Sequence, residues 1–387
     1  MAELVNDHLW LHFGMRVEID DSYIGKLERG VIRWPGERYR KAFCSILHVD
    51  DETKLGFRSS RRSAVPGQLS SVGPSPEAAW QTVIPAMVDE RHVAETRSAA
   101  TMFVRWHHQY GGWSLREAAL AQMRWAEQLL RVPCRERVRV ELHAAVAELA
   151  HTCAFMAFDT CEHGVADRFF DLALRCSRES GDGKFRAYVL QSMARQAVWL
   201  GRFEQAHTFV EHALTQTGKL LPVERANLYA ALAVPLAGMN RAAEARRAIG
   251  VADDAFERAA QPASRWERFY TLAQHNSDTG AALVMLAEHG HRAGDARERL
   301  TAAYAQRAPQ YRRSRLLALT KLASLAVFGG APDEGIAIAT SALAGAEGVR
   351  SSRVTREMDG FAELLVRRSG PEFGRKFRDE RRATGPG

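Results

Sequence analysis

Two histidines and two cysteines lie close together in the sequence, and both residue types bind zinc. They are His151, Cys153, Cys161 and His163. A structural zinc site needs four such side chains that converge on one point. The surrounding sequence has helical periodicity, so residues 151 and 153 project to different faces of a helix, and residues 161 and 163 fall at the following turn. The spacing therefore favours buried small residues and solvated imidazoles over a metal site.

The sequence lacks the short motifs that would indicate an enzyme. It has no Gly-x-x-x-x-Gly-Lys-Ser/Thr phosphate loop, no Gly-x-Ser-x-Gly elbow and no His-Glu-x-x-His pair. Gly181-Asp-Gly-Lys184 is too short to surround a phosphate, and a turn explains it. We therefore expect no enzyme, no catalytic residue, no bound metal and no cofactor.

A short polar helix is predicted near the start of the chain. Ile24 and Leu27 are three residues apart and share one face, so we expect that face to be buried. Asp20 or Asp21 is a suitable N-cap, Gly30 supplies a left-handed stop, and Pro35 prevents continuation. The side chains that point away from the apolar face are those of Ser22, Tyr23, Lys26 and Arg29. These features suit a DNA recognition helix, and they also fit an ordinary surface helix.

This part of the sequence resembles a known DNA-binding family. Residues Tyr23 to Gly30, with Arg33 to Arg40 and Leu55 to Phe57, look like the helix-turn-helix of the xenobiotic-response-element family. The most similar members are large regulators with C-terminal tetratricopeptide-like repeats. Such domains usually begin with one helix more than residues 1–57 provide, so the resemblance implies an incomplete, truncated domain.

The resemblance also implies roles for individual residues. Ala2 to about Phe13 would be the positioning helix, about Asp21 to Arg29 the reader, and Gly36 to Leu47 a third helix beneath them. Ser22, Tyr23 and Lys26 would face base edges or phosphates of double-stranded DNA, and Arg29 and Arg33 would hold the phosphate backbone. Arg38, Arg40 and Lys41 could equally be a solvated face. The inward side chains would be Leu4, Val5, Leu9 and Trp10 in the first helix, and Tyr39, Ala42, Phe43, Ile46 and Leu47 in the third.

Composition is that of an ordinary globular protein with a modest positive charge. The 387 residues are 46% hydrophobic and 26% charged, with a formal net charge of +7. Residues 1–76 contain 11 Lys and Arg against 10 Asp and Glu, which is a weak electrostatic signal for DNA binding. No apolar run approaches the length of a membrane span, and no signal peptide is evident, so we expect a cytoplasmic protein without membrane contact. Five cysteines without paired spacing predict reduced thiols.

Helical periodicity covers almost all of the chain after residue 76. Residues 58–76 are rich in Ser, Gly, Pro and Arg and predict a flexible linker. We expect a helical connector over 77–135, helical repeats over 136–354 and a basic C-terminal helix or tail over 355–387. The predicted fold class is all-α, with an incomplete helix-turn-helix domain followed by a tetratricopeptide-like, right-handed α-solenoid.

An internal repeat of about 40 residues supports the solenoid. Its shared features are small residues at helix crossings and a turn seven residues after the first of them. The copies align Ala154, Ala194 and Ala233; the turns Cys161, Gly201 and Asn240; Ala166, Ala206 and Ala245; and Ala173, Ala213 and Ala252. A later copy has Ala323, Gly330, Gly335 and Ala342. The copy between Trp266 and Pro309 aligns less well, with Gly280 as a candidate crossing residue and Gly290 and Gly294 as competing turns.

The solenoid predicts where a ligand would bind. The first helix of each pair should line the inner wall, where Gln191, Arg195 and Asn227 offer amide and guanidinium groups to a peptide backbone or a carboxylate. Solvated inner-face residues would show the same pattern. Our leading hypothesis is a transcriptional regulator whose repeats sense a small molecule or peptide. A homodimer is a possible assembly for such a regulator. The alternative is a protein-interaction scaffold with a non-functional DNA-binding domain.

Overall fold

The computed structural model consists of α-helices. It describes residues 1–13, 19–49, 51–57, 83–216, 220–259, 270–344 and 349–384. In these ranges the only extended pairing is one isolated bridge between Val88 and Cys134. The chain divides into an N-terminal unit, Met1–Gln81, and a C-terminal unit, Thr82–Gly387. The predicted linker, 58–76, lies outside the described residues.

The N-terminal unit contains three helices: α1 (Ala2–Phe13), α2 (Asp21–Glu28) and α3 (Glu37–Ile46). Asp20 caps α2, since its carboxylate accepts a hydrogen bond of 2.8 Å from the Tyr23 amide. After α2 the chain turns at Gly30, whose φ of 68° is the left-handed conformation that the sequence predicted. These bounds confirm the predicted positions of the three helices within two residues.

A small core joins α1 to α3. Ala2, Val5 and Leu9 form one stripe along α1 and are buried with Ala42 and Phe43. Ile24 and Leu27 of α2 pack against this cluster and are half-buried, which confirms in part the buried face that their spacing predicted. Two predicted inward residues are exposed instead. Leu4 (57% exposed) lies beside the stripe, and Leu47 (43% exposed) follows the last turn of α3, where the chain leaves the packed face.

The C-terminal unit begins with two helices and continues as consecutive helical pairs. Its first helices are α4 (Glu90–Tyr110) and α5 (Arg116–Leu129), and helices that follow one another pack together as in a solenoid. The pairs are α6 (Glu136–Asp159) with α7 (His163–Glu179), α8 (Gly183–Trp199) with α9 (Phe203–Gln216), α10 (Pro222–Gly238) with α11 (Ala242–Glu257), α12 (Leu272–Glu288) with α13 (Ala296–Gln306), α14 (Arg312–Phe328) with α15 (Pro332–Ala344), and α16 (Ser352–Ser369) with α17 (Pro371–Thr384).

The turns within these pairs follow the repeat in the sequence. Cys161, Gly201 and Asn240 each adopt a positive φ, between 59° and 72°, directly after the first helix of a pair. A left-handed residue at this position ends one helix and lets the chain reverse. Glycine adopts it readily, whereas Cys161 and Asn240 adopt it at a steric cost. The repeat therefore gives the turn the same backbone conformation in three pairs, whether or not the turn residue is glycine.

The aligned small residues lie where the two helices of a pair approach each other. Ala154, Ala166, Ala206 and Ala233 are each fully buried. At Gly335, a Cβ atom would lie 2.9 Å from the Ala323 carbonyl oxygen, which leaves no room for a side chain. In the poorly aligned copy, a Cβ atom at Gly280 would meet Leu300 of α13 at 3.0 Å, and both Gly290 and Gly294 have positive φ. This pair thus has a longer turn than the others, which explains its irregular spacing.

The basic C-terminal segment forms a packed helical pair. Phe361 and Leu365 of α16 and Phe377 of α17 are buried, and the rings of Phe361 and Phe377 meet edge to face with centroids 5.0 Å apart. The basic residues of α16 and α17 lie mostly on the outer faces of these helices, where Lys376 forms an ion pair with Asp333 of α15. The segment predicted as a basic helix or tail is therefore a further pair of the solenoid.

The last helical pairs contact the first helices of the same unit. Asp159, at the end of α6, is fully buried and accepts hydrogen bonds from Arg313 of α14 (2.7 Å), from Ser351 (2.8 Å) and from the Gly112 amide (3.1 Å). The backbone amide of Arg350 also donates to the Tyr110 carbonyl. We call this group of contacts around Asp159 the closure cluster. It joins elements from both ends of the C-terminal unit.

Candidate functional site

A cavity of about 1170 Å³ lies inside the C-terminal unit. Its wall comes from α4 and from the first helix of every pair: α6, α8, α10, α12, α14 and α16. The second helices contribute only Gln306 at the end of α13. The sequence predicted that the first helix of each pair lines the inner wall. Pockets of this size accommodate small organic molecules or short peptide segments.

The three residues predicted to bind a ligand all line the cavity, but they also contact protein groups. The Gln191 amide donates to the Asn227 side-chain oxygen at 2.5 Å, so these two residues bind each other across α8 and α10. Arg195 forms an ion pair with Asp278 of α12 at 3.1 Å. The three predicted residues therefore lie on the wall, where the two amides bind each other and Arg195 binds Asp278.

Aromatic side chains form one part of the wall, around His151. The rings of Phe155, Phe185 and Tyr188 lie with centroids 4.8 to 5.7 Å from the imidazole. Ser192 donates its hydroxyl proton to the Tyr188 carbonyl, so the hydroxyl oxygen is left to accept a hydrogen bond of 2.8 Å from His151 Nε2. Burial lowers the pKa of His151 to about 3. The ring is therefore neutral at physiological pH.

The candidate zinc residues do not converge. His151 faces the cavity, whereas the Cys153 thiol points to the Ala119 carbonyl oxygen at 3.9 Å. Cys161 lies at the turn after α6, and His163 packs on Trp199 with ring centroids 5.1 Å apart. Burial raises the pKa of Cys153 to about 12, which disfavours the thiolate that a metal would need. Within the described ranges, no three metal-binding side chains come together.

Basic side chains form another part of the wall. Seven Lys and Arg residues line the cavity against four Asp and Glu residues, which are Glu148, Asp278, Glu288 and Glu357. Sequence reasoning missed most of these cations, among them Arg307, Lys321 and Arg353. A basic residue on a helix is usually solvated, so its type alone gives no sign that it faces inward. The available signal was the repeat itself, which places residues of α14 on the same inner wall as those of α8.

The buried carboxylate of the closure cluster lies at the edge of this wall. Burial alone would raise the pKa of Asp159, but Arg313 and His107 exceed that effect and hold the pKa well below its usual value. His107 Nε2 lies 3.6 Å from Asp159, and burial lowers the pKa of His107, so the charged partner is Arg313. Asp159 and Arg313 thus form a charged pair that is almost completely removed from solvent.

The residues predicted to bind DNA lie in the N-terminal unit, on and after α2. Ser22, Lys26, Arg29 and Arg33 are exposed. Tyr23 is half-buried and packs near Tyr39, with ring centroids 5.8 Å apart, so it has a structural contact as well. Arg33 donates to the Gly30 carbonyl at 3.1 Å. No ion pair engages Lys26 or Arg29 in the part of the chain that the structure describes, so both charges face solvent.

The basic residues of α3 differ from those of α2. Arg40 pairs with Glu52 at 2.8 Å and lies over the Trp34 ring, and Lys41 pairs with Glu37 at 2.7 Å. These contacts hold α3 to its neighbours or neutralise its surface. Of the two helices, α2 is thus the one whose charges are available to a phosphate.

No protein-family model matches this chain, and no curated protein matches it. Every helix in the described ranges is too short or too polar to traverse a lipid bilayer.

Proposed function

We propose that this chain is a DNA-binding transcriptional regulator whose helical pairs, related to tetratricopeptide repeats, sense a small molecule or a peptide. The observation that carries the proposal is the cavity of about 1170 Å³, which is lined by polar and charged residues from eight helices of one unit. A helical array that served only as a rigid spacer would not need charged side chains inside it, because burying charge is costly.

The N-terminal unit supplies the proposed DNA contact. Its helix α2 is capped, packs through Ile24 and Leu27, and exposes Ser22, Lys26 and Arg29. A helix held in this way can enter the major groove with its polar face outward. The proposal implies a cytoplasmic protein that contacts double-stranded DNA, with a homodimer as the arrangement that would read a two-fold symmetric site.

Selection from a random duplex library followed by fluorescence anisotropy tests the proposal. The full-length chain should enrich a preferred sequence and bind it more weakly as salt rises. Lys26→Ala should weaken binding to that sequence by about 1 to 3 kcal/mol if Lys26 reaches a base edge. An equal loss on unrelated duplexes would instead assign Lys26 to a phosphate.

Lys41→Ala is the matched control, since Lys41 is also exposed in the N-terminal unit but is paired with Glu37. Its affinity for the selected duplex should stay close to that of the unmodified chain. If no sequence is enriched and no duplex binds at low salt, the chain is not a DNA-binding regulator, and the interaction scaffold becomes the better explanation.

A further inference from the structure

Three cations of the cavity wall that are shielded from solvent have no carboxylate partner. Arg307, Lys321 and Arg353 come from three different parts of the wall, just before α14, within α14 and within α16. Among the described residues, no ion pair joins any of them to an acidic side chain. Arg307 donates only to the neutral oxygens of Gln274 and Ala273, both at 3.1 Å.

Arg353 is the most deeply buried of the three. Its residue is 8% exposed, its guanidinium lies over the Phe158 ring at 4.6 Å, and its Nε has no hydrogen-bond partner among the described residues. The nearby acid, Glu357, lies one turn further along α16 and forms no ion pair with it. A buried, unpaired guanidinium costs several kcal/mol in typical proteins and persists only if something else compensates for it.

The cations also disfavour one another's charged forms. Burial and the Arg313 charge lower the pKa of Arg353 to about 10. Burial lowers the pKa of Lys321, with the Glu357 charge acting against it and repulsion from Arg353 adding to it. Burial also lowers the pKa of Arg307; the Asp278 charge opposes this effect, and Arg195 and Arg313 add to it. The carboxylates of Asp278 and Asp159 are already bound to Arg195 and Arg313, so they neutralise those two residues first. With seven cations against four carboxylates, the cavity wall thus retains a net positive charge.

We propose that the cavity binds an organic anion, whose carboxylate or phosphate head is held by Lys321 and Arg353 and whose apolar body lies against the aromatic wall around His151. Both parts of this site line the same cavity. Arg307, which lies between α13 and α14, supplies a third hydrogen-bond donor to the anion. This inference rests on the proposed sensing role, because it names the class of ligand that the cavity accepts.

A fluorescent aromatic sulfonate tests the inference directly. Anilinonaphthalene sulfonate should bind the full-length chain with one site, and the neutral phenylnaphthylamine should bind at least about tenfold more weakly, as expected for the loss of a charge-assisted contact. Octanoate and octyl phosphate should displace the sulfonate, and octanol should not. Whichever of the two anions competes better identifies a carboxylate or a phosphate as the preferred head group.

Substitution locates the anion. Lys321→Met should weaken sulfonate binding at least about tenfold, and its melting temperature without ligand should be unchanged or higher, since methionine keeps the apolar stem and removes a desolvated charge. Arg353→Met should also lose affinity. Lys376→Met is the matched control, because Lys376 is exposed on α17 outside the cavity, and it should bind the sulfonate normally.

The outcomes separate this inference from the proposed function. Equal affinity for the sulfonate and its neutral analogue, or normal binding by Lys321→Met with a lowered melting temperature, would overturn the anion site and make Lys321 a structural residue. Because these measurements contain no DNA, a failed anion site leaves DNA binding to stand. Conversely, if the chain binds the anion but no DNA duplex, the anion site is supported and the proposed function as a DNA-binding regulator is wrong.

Discussion

His151 is a neutral imidazole surrounded by aromatic rings on the inner wall of the solenoid. Since burial lowers its pKa from 6.5 to about 3, the unfolded chain binds a proton more readily than the folded chain does between these values. Its contribution to stability is therefore fully present above pH 6.5 and is lost as the pH falls towards 3. At pH 5 the loss amounts to about 2 kcal/mol.

We therefore expect His151→Gln to reduce the fall in stability between pH 7 and pH 5. Glutamine does not titrate, and its amide can still donate a hydrogen bond to Ser192. Urea unfolding at the two pH values measures the effect. His212→Gln, at an exposed position of α9, is the control and should leave the pH dependence unchanged. The same pH dependence in both variants would show that another group causes the acid sensitivity.

Residue types predicted only part of the candidate site. Gln191, Arg195 and Asn227 were placed on the inner wall because each lies on the first helix of a clearly aligned copy. Lys321 and Arg353 were not predicted, although the repeat alignment covers α14. Their burial depends on what lies across the cavity, and local spacing carries no information about that. Arg353 lies at the predicted end of the repeats, and the rest of its helix falls in the segment predicted as a basic terminal helix or tail.

At the scale of elements, the repeat predicted both the helix ends and the crossings. The register of Cys161, Gly201 and Asn240 anticipated three turns of one backbone conformation, and the aligned alanines proved to be buried. The prediction was weakest near Gly280, because one longer turn shifts the register between α12 and α13. The repeat does not predict the pairing of α16 with α17, because the apolar stripe of Phe361, Leu365 and Phe377 lies among many basic residues.

The crossing residues provide a test of these elements. Ala206 is fully buried between α8 and α9, whereas Arg202, four residues earlier, is exposed. Ala206→Phe should lower the free energy of unfolding by about 1 to 3 kcal/mol, because the helices cannot separate without losing contacts. Arg202→Phe should change it by less than about 0.5 kcal/mol. Similar urea midpoints for the two variants would contradict the alignment of the repeat.

The closure cluster acts at the scale of the C-terminal unit. Asp159→Asn keeps the shape of the side chain but leaves Arg313 buried without a counter-charge, so we expect a loss of about 3 to 5 kcal/mol in urea unfolding. Glu334→Gln removes one partner of the exposed ion pair with Arg297 and should cost less than about 1 kcal/mol. If the two substitutions have comparable effects, the closure cluster contributes little to stability.

No pattern in the sequence predicted the closure cluster around Asp159. Asp159 meets Arg313 and Ser351 across separations of 154 and 192 residues, and each residue taken alone looks like an ordinary helix terminus or surface position. A repeat defines how one pair packs on the next, but the accumulated rotation that brings distant pairs together depends on every crossing in between.

Contact between the two ends also changes how the array should come apart. In an open series of repeats each unit touches only its neighbours, so the terminal ones fray first and stability is a sum of local terms. Here Ser351, the N-cap of α16, donates a buried hydrogen bond to Asp159 at the end of α6, so fraying of the last pair would expose the first. The terminal helices therefore lose the independence that end repeats usually have, and opening becomes a cooperative event for the whole array.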